Sequence, residues 1–109
     1  MSKEEVLAEF DRDITNQGYK PDGNIIYRII FQHAAQLILT DRLGVIDALR
    51  YWLLLRDDPF TVFAINLIQD LVIKELKPDL EKLRNDIESR NTLLPYYNEW
   101  VDRALKAIS

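Results

Sequence analysis

The segment Ile25–Leu39 constrains the fold of this chain more than any other part of the sequence. At about 100° per residue, its polar side chains Arg28, Gln32 and Gln36 fall on one thin stripe and almost all the rest are apolar. The Ile-rich start is compatible with a strand, but the length and the regular polar stripe favour a helix. We therefore expect a helix that is central or covered on two sides.

Helical spacing of apolar residues continues through the rest of the chain, and no segment alternates strictly as an amphipathic strand does. Ser2 and Glu5 have the spacing of a capping box. The other predicted helices run from Ser2 to about Gly18, from Thr40 or Asp41 to about Arg56, from Pro59 to Lys77, and from Leu93 to Ile108. The sequence thus predicts an all-α fold, one compact domain over 1–109 with five to six helices in a bundle-like or orthogonal array.

Pro78 leaves one alternative open within this array. Apolar residues keep a spacing of three and four across the proline, from Ile73 to Ile87. Either one helix kinked at Pro78 continues to about Arg90, or two helices meet there.

Charge and composition exclude several classes of function. The net charge is −4, and residues 1–23 alone hold six acidic side chains against three basic ones. Nucleic-acid binding is therefore not expected, because no basic segment is present to neutralise phosphates. The uncharged stretches are too short to span a bilayer and the N-terminus does not resemble a secretory leader, so we expect a cytoplasmic protein that is not an integral membrane protein.

The residues suited to catalysis or metal binding are few. The chain has no cysteine and one histidine, His33, which we interpret as a boundary residue hydrogen-bonded to a neighbour. No Glu-x-x-His pair and no Gly-rich phosphate loop occur. We expect a non-enzyme with no catalytic residue, no cofactor and no metal site.

An excess of apolar helix surface is the main functional signal. Helical projection places four apolar side chains on faces that a lone five-helix array would expose: Leu43, Leu54, Val62 and Ile73. If they join, they would form an interface patch. We expect a symmetric homodimer, since two-fold dimers are the commonest assembly, and expect Leu43→Asp or Ile73→Asp to disrupt association without loss of helicity.

Three functions are compatible with these features. The first is a non-enzymatic protein-interaction module, such as a small regulator, adaptor or accessory protein, acting through apolar helix faces. The second is an acidic protein that neutralises a basic partner, such as an immunity protein or antitoxin. The third is a binder of small apolar ligands, with a pocket lined by Tyr51, Trp52, Tyr96 and Trp100.

Overall fold

The computed structural model of the chain describes residues 2–15, 23–89 and 92–109. Over these ranges it contains six α-helices, two short 3-10 helices and no strand, which confirms the all-α prediction. The α-helices are α1 (Lys3–Thr15), α2 (Gly23–Thr40), α3 (Arg42–Leu55), α4 (Phe60–Leu71), α5 (Lys77–Glu88) and α6 (Asn98–Ile108). The predicted stop at Gly18 lies outside the described residues.

The chain divides into two compact units, Met1–Ala48 and Leu49–Ser109. In the N-terminal unit, α1 packs on α2, and the buried side chains are Val6 and Phe10 of α1 and Ile30 and Ala34 of α2. The rest of the apolar circumference of α2 is only partly covered, with Leu39 85% exposed. The apolar side chains of α2 are therefore less buried than the sequence predicts.

Two sequence-predicted caps of the N-terminal unit are confirmed, whereas Asn24, a further candidate for a cap, lies inside α2. The Ser2 N–H donates to Glu5 Oε1 at 3.3 Å, and the Glu5 N–H donates to Ser2 Oγ at 3.2 Å. Asp41 caps α3, because its Oδ1 accepts a hydrogen bond of 3.2 Å from the Gly44 N–H. Each side chain satisfies a backbone donor that has no partner within its helix.

In the C-terminal unit, α6 packs against both α4 and α5. The residues buried in α5 and α6 recur at intervals of three and four, which gives each of these two helices one apolar face, whereas α4 is buried around more of its circumference, at six of its twelve residues. The buried residues of the three helices pack on one another. They include Ala64, Leu67 and Ile68 of α4, Leu80, Leu83 and Ile87 of α5, and Val101, Ala104 and Ile108 of α6.

The alternative of a helix kinked at Pro78 is wrong, because two separate helices occur and the break precedes the proline. Helix α4 ends at Leu71, and Val72 is left-handed with a φ of 53°. The chain then passes through a 3-10 turn before α5 begins, with Pro78 in the first turn of α5. A proline is well tolerated in that turn, where helical N–H groups have no partner.

Candidate functional site

The last two turns of α3 expose three large apolar side chains. Tyr51 is 43% exposed, Leu54 65% and Leu55 39%. At helical geometry the three lie within an arc of about 100°. We refer to these three residues as the α3 apolar end.

Two of the four predicted interface residues are exposed as the sequence predicts. Leu43 is 75% exposed and Leu54 65%, while Val62 is partly exposed. Ile73 is fully buried, so its assignment to an interface is wrong. The helical projection failed there because it assumed an uninterrupted α4, whereas the left-handed Val72 changes the direction of the chain one residue earlier.

A buried threonine fixes the corner between α3 and α4. Thr61 is fully buried, and its hydroxyl donates to the Trp52 carbonyl at 2.8 Å. The same oxygen accepts a hydrogen bond of 2.9 Å from the Asp57 N–H. The carbonyls of the last helical turn have no partner within the helix, so Thr61 closes the end of α3. The acidic pair Asp57 and Asp58 before Pro59 is typical of a helix N-cap, but the N-cap of α4 is Pro59 and no side chain makes a hydrogen bond there.

Arg56 ends α3 and ties it to α5. Its φ is 52°, a left-handed conformation that costs a residue with a Cβ roughly 1–2 kcal/mol. Its guanidinium compensates, since Nη1 donates to the Leu53 carbonyl at 2.7 Å and Nη2 donates to Asp86 Oδ2 at 2.8 Å. The α3 apolar end is thereby held on a fixed backbone.

A cleft of about 200 Å³ lies beside the α3 apolar end. The Arg50 Nε donates to Asp79 Oδ1 at 3.3 Å across this cleft. Its lining residues are Arg50, Leu53, Leu54 and Arg56 from α3 and its C-terminus, and Asp79 and Lys82 from α5. The lining therefore combines an apolar part with three cations and one carboxylate.

His33 lies between two carboxylates in the N-terminal unit. Its Nδ1 is 2.8 Å from Asp13 Oδ2, and its Nε2 is 2.8 Å from Glu9 Oε2. The contact with Asp13 is a hydrogen bond, whereas Glu9 Oε2 is buried and has no hydrogen bond of regular geometry. A neutral imidazole carries one N–H, so only the protonated ring can donate toward both acids. The predicted hydrogen bond from His33 to a neighbour is present, and the ring fastens α2 to α1.

Three of the four predicted ligand-pocket aromatics belong to two different ring clusters, whereas Tyr51 is part of the exposed α3 apolar end. Trp52 is 3% exposed and packs on Phe60 and Phe63, with ring centroids 5.5 and 6.3 Å away. Tyr96 and Trp100 instead pack around Tyr97, at 4.5 and 5.2 Å from its ring.

Tyr97 also anchors the loop before α4. Its hydroxyl donates to Asp58 Oδ2 at 2.9 Å. Hydrogen bonding with Tyr96 and with Asp58 raises the pKa of Tyr97 above its ordinary value. The aromatic cluster at the start of α6 therefore has a clear structural role.

Comparison with known proteins gives no relative: no family model, no curated protein and no solved structure matches the chain. Among the described residues, none of the helices combines the length and the apolar composition of a bilayer-spanning segment. Within 2–15, 23–89 and 92–109, no group of three or more His, Cys, Asp or Glu side chains is arranged to hold a metal ion.

Proposed function

We propose that this chain is a protein-interaction module that docks a partner on the α3 apolar end, Tyr51, Leu54 and Leu55. The observation that carries the proposal is the 65% exposure of Leu54 beside two other exposed apolar side chains, on a helix end that hydrogen bonds hold in place. Interface cores are enriched in aromatic residues and depleted of charged ones.

The rigidity of this helix end supports the proposal. Thr61 binds the Trp52 carbonyl, and Arg56 binds both the Leu53 carbonyl and Asp86. These contacts hold the backbone that presents Leu54 before any partner arrives. Less conformational entropy is then lost on docking, so a larger share of the apolar burial contributes to affinity.

The partner we propose first is a second copy of the chain, because two-fold homodimers are the commonest assembly. Full burial of a leucine is worth roughly 1.5–3 kcal/mol. With 65% of Leu54 still exposed, docking can recover about 1–2 kcal/mol per copy. In a two-fold interface both copies contribute, so the loss of Leu54 would weaken association by about 2–4 kcal/mol, or about thirtyfold or more.

Sedimentation velocity over a wide range of concentrations tests this proposal. Wild type should associate at micromolar concentration, and Leu54→Asp should remain monomeric with an unchanged helical circular dichroism spectrum. Leu94→Asp is the matched control, because Leu94 is 59% exposed in the same unit but lies outside the α3 apolar end.

Two results would contradict the proposal. A wild type that remains monomeric at all concentrations would exclude the homodimer. Equal loss of association in Leu54→Asp and Leu94→Asp would show that the α3 apolar end is not the specific docking surface. Ile73→Asp is no longer a suitable test, since Ile73 is fully buried and its replacement by a charge would unfold the unit.

A further inference from the structure

The exposed side of α3 extends beyond the α3 apolar end toward the start of the helix. Four side chains follow one another there at intervals of four, three and four residues: Leu43, Asp47, Arg50 and Leu54. At 100° per residue they lie within an arc of about 60° on this uninterrupted helix. Leu43 is 75% exposed and Leu54 65%, Asp47 is exposed, and the Arg50 side chain is 41% exposed. We refer to these four residues as the α3 stripe.

The α3 stripe has a symmetric order. It consists of leucine, acid, base and leucine, and its spacing is the same when it is followed in either direction. In an antiparallel pair of identical helices related by a two-fold axis, residues equally far from the axis on its two sides lie opposite each other. With the axis midway between Asp47 and Arg50, Leu43 lies opposite Leu54 of the second copy. Asp47 then lies opposite Arg50 of the second copy, and every contact occurs twice.

The two charged side chains favour this antiparallel pairing over a parallel one. In a parallel pair, Asp47 would lie opposite Asp47 of the second copy, and Arg50 opposite Arg50, so both contacts would join like charges. In the antiparallel pair both contacts join opposite charges, and a leucine pair lies at each end. A two-fold interface requires a surface that complements itself. The α3 stripe meets this requirement, which indicates a second copy of the chain as the partner.

The intramolecular contacts of the two charged side chains are compatible with this pairing. The Arg50 Nε donates to Asp79 Oδ1 at 3.3 Å, and both Arg50 and Asp47 have further interactions within the chain. A guanidinium has five N–H donors, and a carboxylate has about four acceptor positions. The intermolecular pairs therefore add to the existing interactions and do not require that these break.

We propose that α3 pairs antiparallel with α3 of a second copy, about a two-fold axis between Asp47 and Arg50. This inference rests on the proposed docking function and specifies how the second copy is oriented. Leu43 packs on Leu54 of the second copy, and the two Asp47–Arg50 ion pairs fix the register of the helices. Tyr51, about 60° from Leu54 around the helix, extends the contact on one flank.

Charge-reversal variants test this register, because two variants that each repel themselves should attract each other. In Asp47→Lys, a lysine lies opposite Arg50 of the second copy at both contacts. In Arg50→Glu, a glutamate lies opposite Asp47 at both contacts. Each variant alone should associate about tenfold or more weakly than wild type in sedimentation velocity at low salt. An equimolar mixture of the two should regain an affinity close to that of wild type, since both contacts then join opposite charges.

A second pair of variants controls for net charge. Asp11→Lys and Arg103→Glu make the same changes of charge at exposed positions of α1 and α6, outside α3. Each should associate as wild type does, both alone and in an equimolar mixture. Circular dichroism verifies that every variant keeps its helical spectrum.

Leu43→Asp tests the inference without a change at Asp47 or Arg50. It should weaken association about as much as Leu54→Asp does, by about thirtyfold or more, because the two leucines form the same contacts. Leu39→Asp is the matched control, since Leu39 is 85% exposed in the same unit as Leu43 but belongs to α2. If Arg50→Glu loses its helical spectrum, the comparison of Leu43→Asp with Leu39→Asp decides alone.

The possible failures separate the two proposals. If Leu54→Asp abolishes association but the mixture of Asp47→Lys and Arg50→Glu associates no better than either variant alone, the antiparallel register is overturned and docking on the α3 apolar end stands. Undiminished association of Leu43→Asp would have the same meaning. Weakened association of Asp11→Lys and Arg103→Glu that recovers on mixing would show a general charge effect and would also overturn the register. Absence of any association in the wild type would overturn the docking function, and the inference with it.

Discussion

Thr61→Val tests whether the corner that presents the α3 apolar end is held by one hydroxyl. Thr61 is fully buried, and valine has nearly the same shape, so the substitution opens no cavity. It removes the acceptor of the Asp57 N–H and the donor to the Trp52 carbonyl. A buried polar group left without its partner costs about 1–3 kcal/mol. Two such groups are left without a partner, and part of their cost is offset because a methyl group is easier to bury than a hydroxyl group. The free energy of unfolding should therefore fall by about 2–3 kcal/mol.

Urea unfolding, followed by circular dichroism and tryptophan fluorescence, measures this loss, and Trp52 lies next to the corner. Thr61→Ser is the matched control, because it keeps both hydrogen bonds and loses one methyl group, worth about 1 kcal/mol. Thr61→Val should therefore be the less stable variant by about 1–2 kcal/mol. If Thr61→Val is as stable as Thr61→Ser or more stable, the hydroxyl does not hold the end of α3 and the reasoning is refuted.

Two further substitutions test other parts of the structure. Val72→Gly should change the free energy of unfolding by less than about 0.5 kcal/mol, because glycine relieves the left-handed φ of 53°. Val101→Gly, in the buried face of α6, should lower the free energy of unfolding by about 3 kcal/mol. Equal losses in the two variants would show that Val72 is not left-handed. His33→Ala should lower the free energy of unfolding by about 1–2 kcal/mol, because Glu9 and Asp13 lose their contacts with the ring, and adding Glu9→Gln and Asp13→Asn should recover about half of this loss. Strictly additive effects of the three substitutions would show that they do not interact.

Local sequence signals predicted the parts of the fold that depend on neighbouring residues. The capping box of Ser2 and Glu5 and the cap at Asp41 both join residues three positions apart, and both are present. The periodicity of apolar residues likewise predicted the helical class. These features depend on contacts within one helical turn, which the sequence contains directly.

The end of α4 was predicted wrongly because it carries no local stop signal. Glycine is the usual left-handed residue at a helix C-terminus, and here the position is Val72, a β-branched residue. Helical projection therefore continued through Ile73 and placed a fully buried side chain on the surface. The exposure of Leu54 was predicted correctly because α3 is uninterrupted up to Leu55.

The contacts that build the candidate site depend on tertiary structure. Thr61 and the Trp52 carbonyl are nine residues apart, and Arg56 and Asp86 are thirty apart. Likewise, His33 and Asp13 are twenty residues apart, and nothing in their spacing indicates that they meet. A lone threonine in an apolar helix face was the one available signal for Thr61, because a buried hydroxyl requires a partner.

Backbone amide shifts during dilution of the ¹⁵N-labelled wild-type chain test the central claim most directly. If the α3 apolar end is the docking surface of a homodimer, the amide chemical shifts that change with concentration should cluster at residues 51–55. In Leu54→Asp these shifts should keep their low-concentration values at every concentration. Concentration-dependent shifts confined to other helices, with residues 51–55 unchanged, would contradict the account.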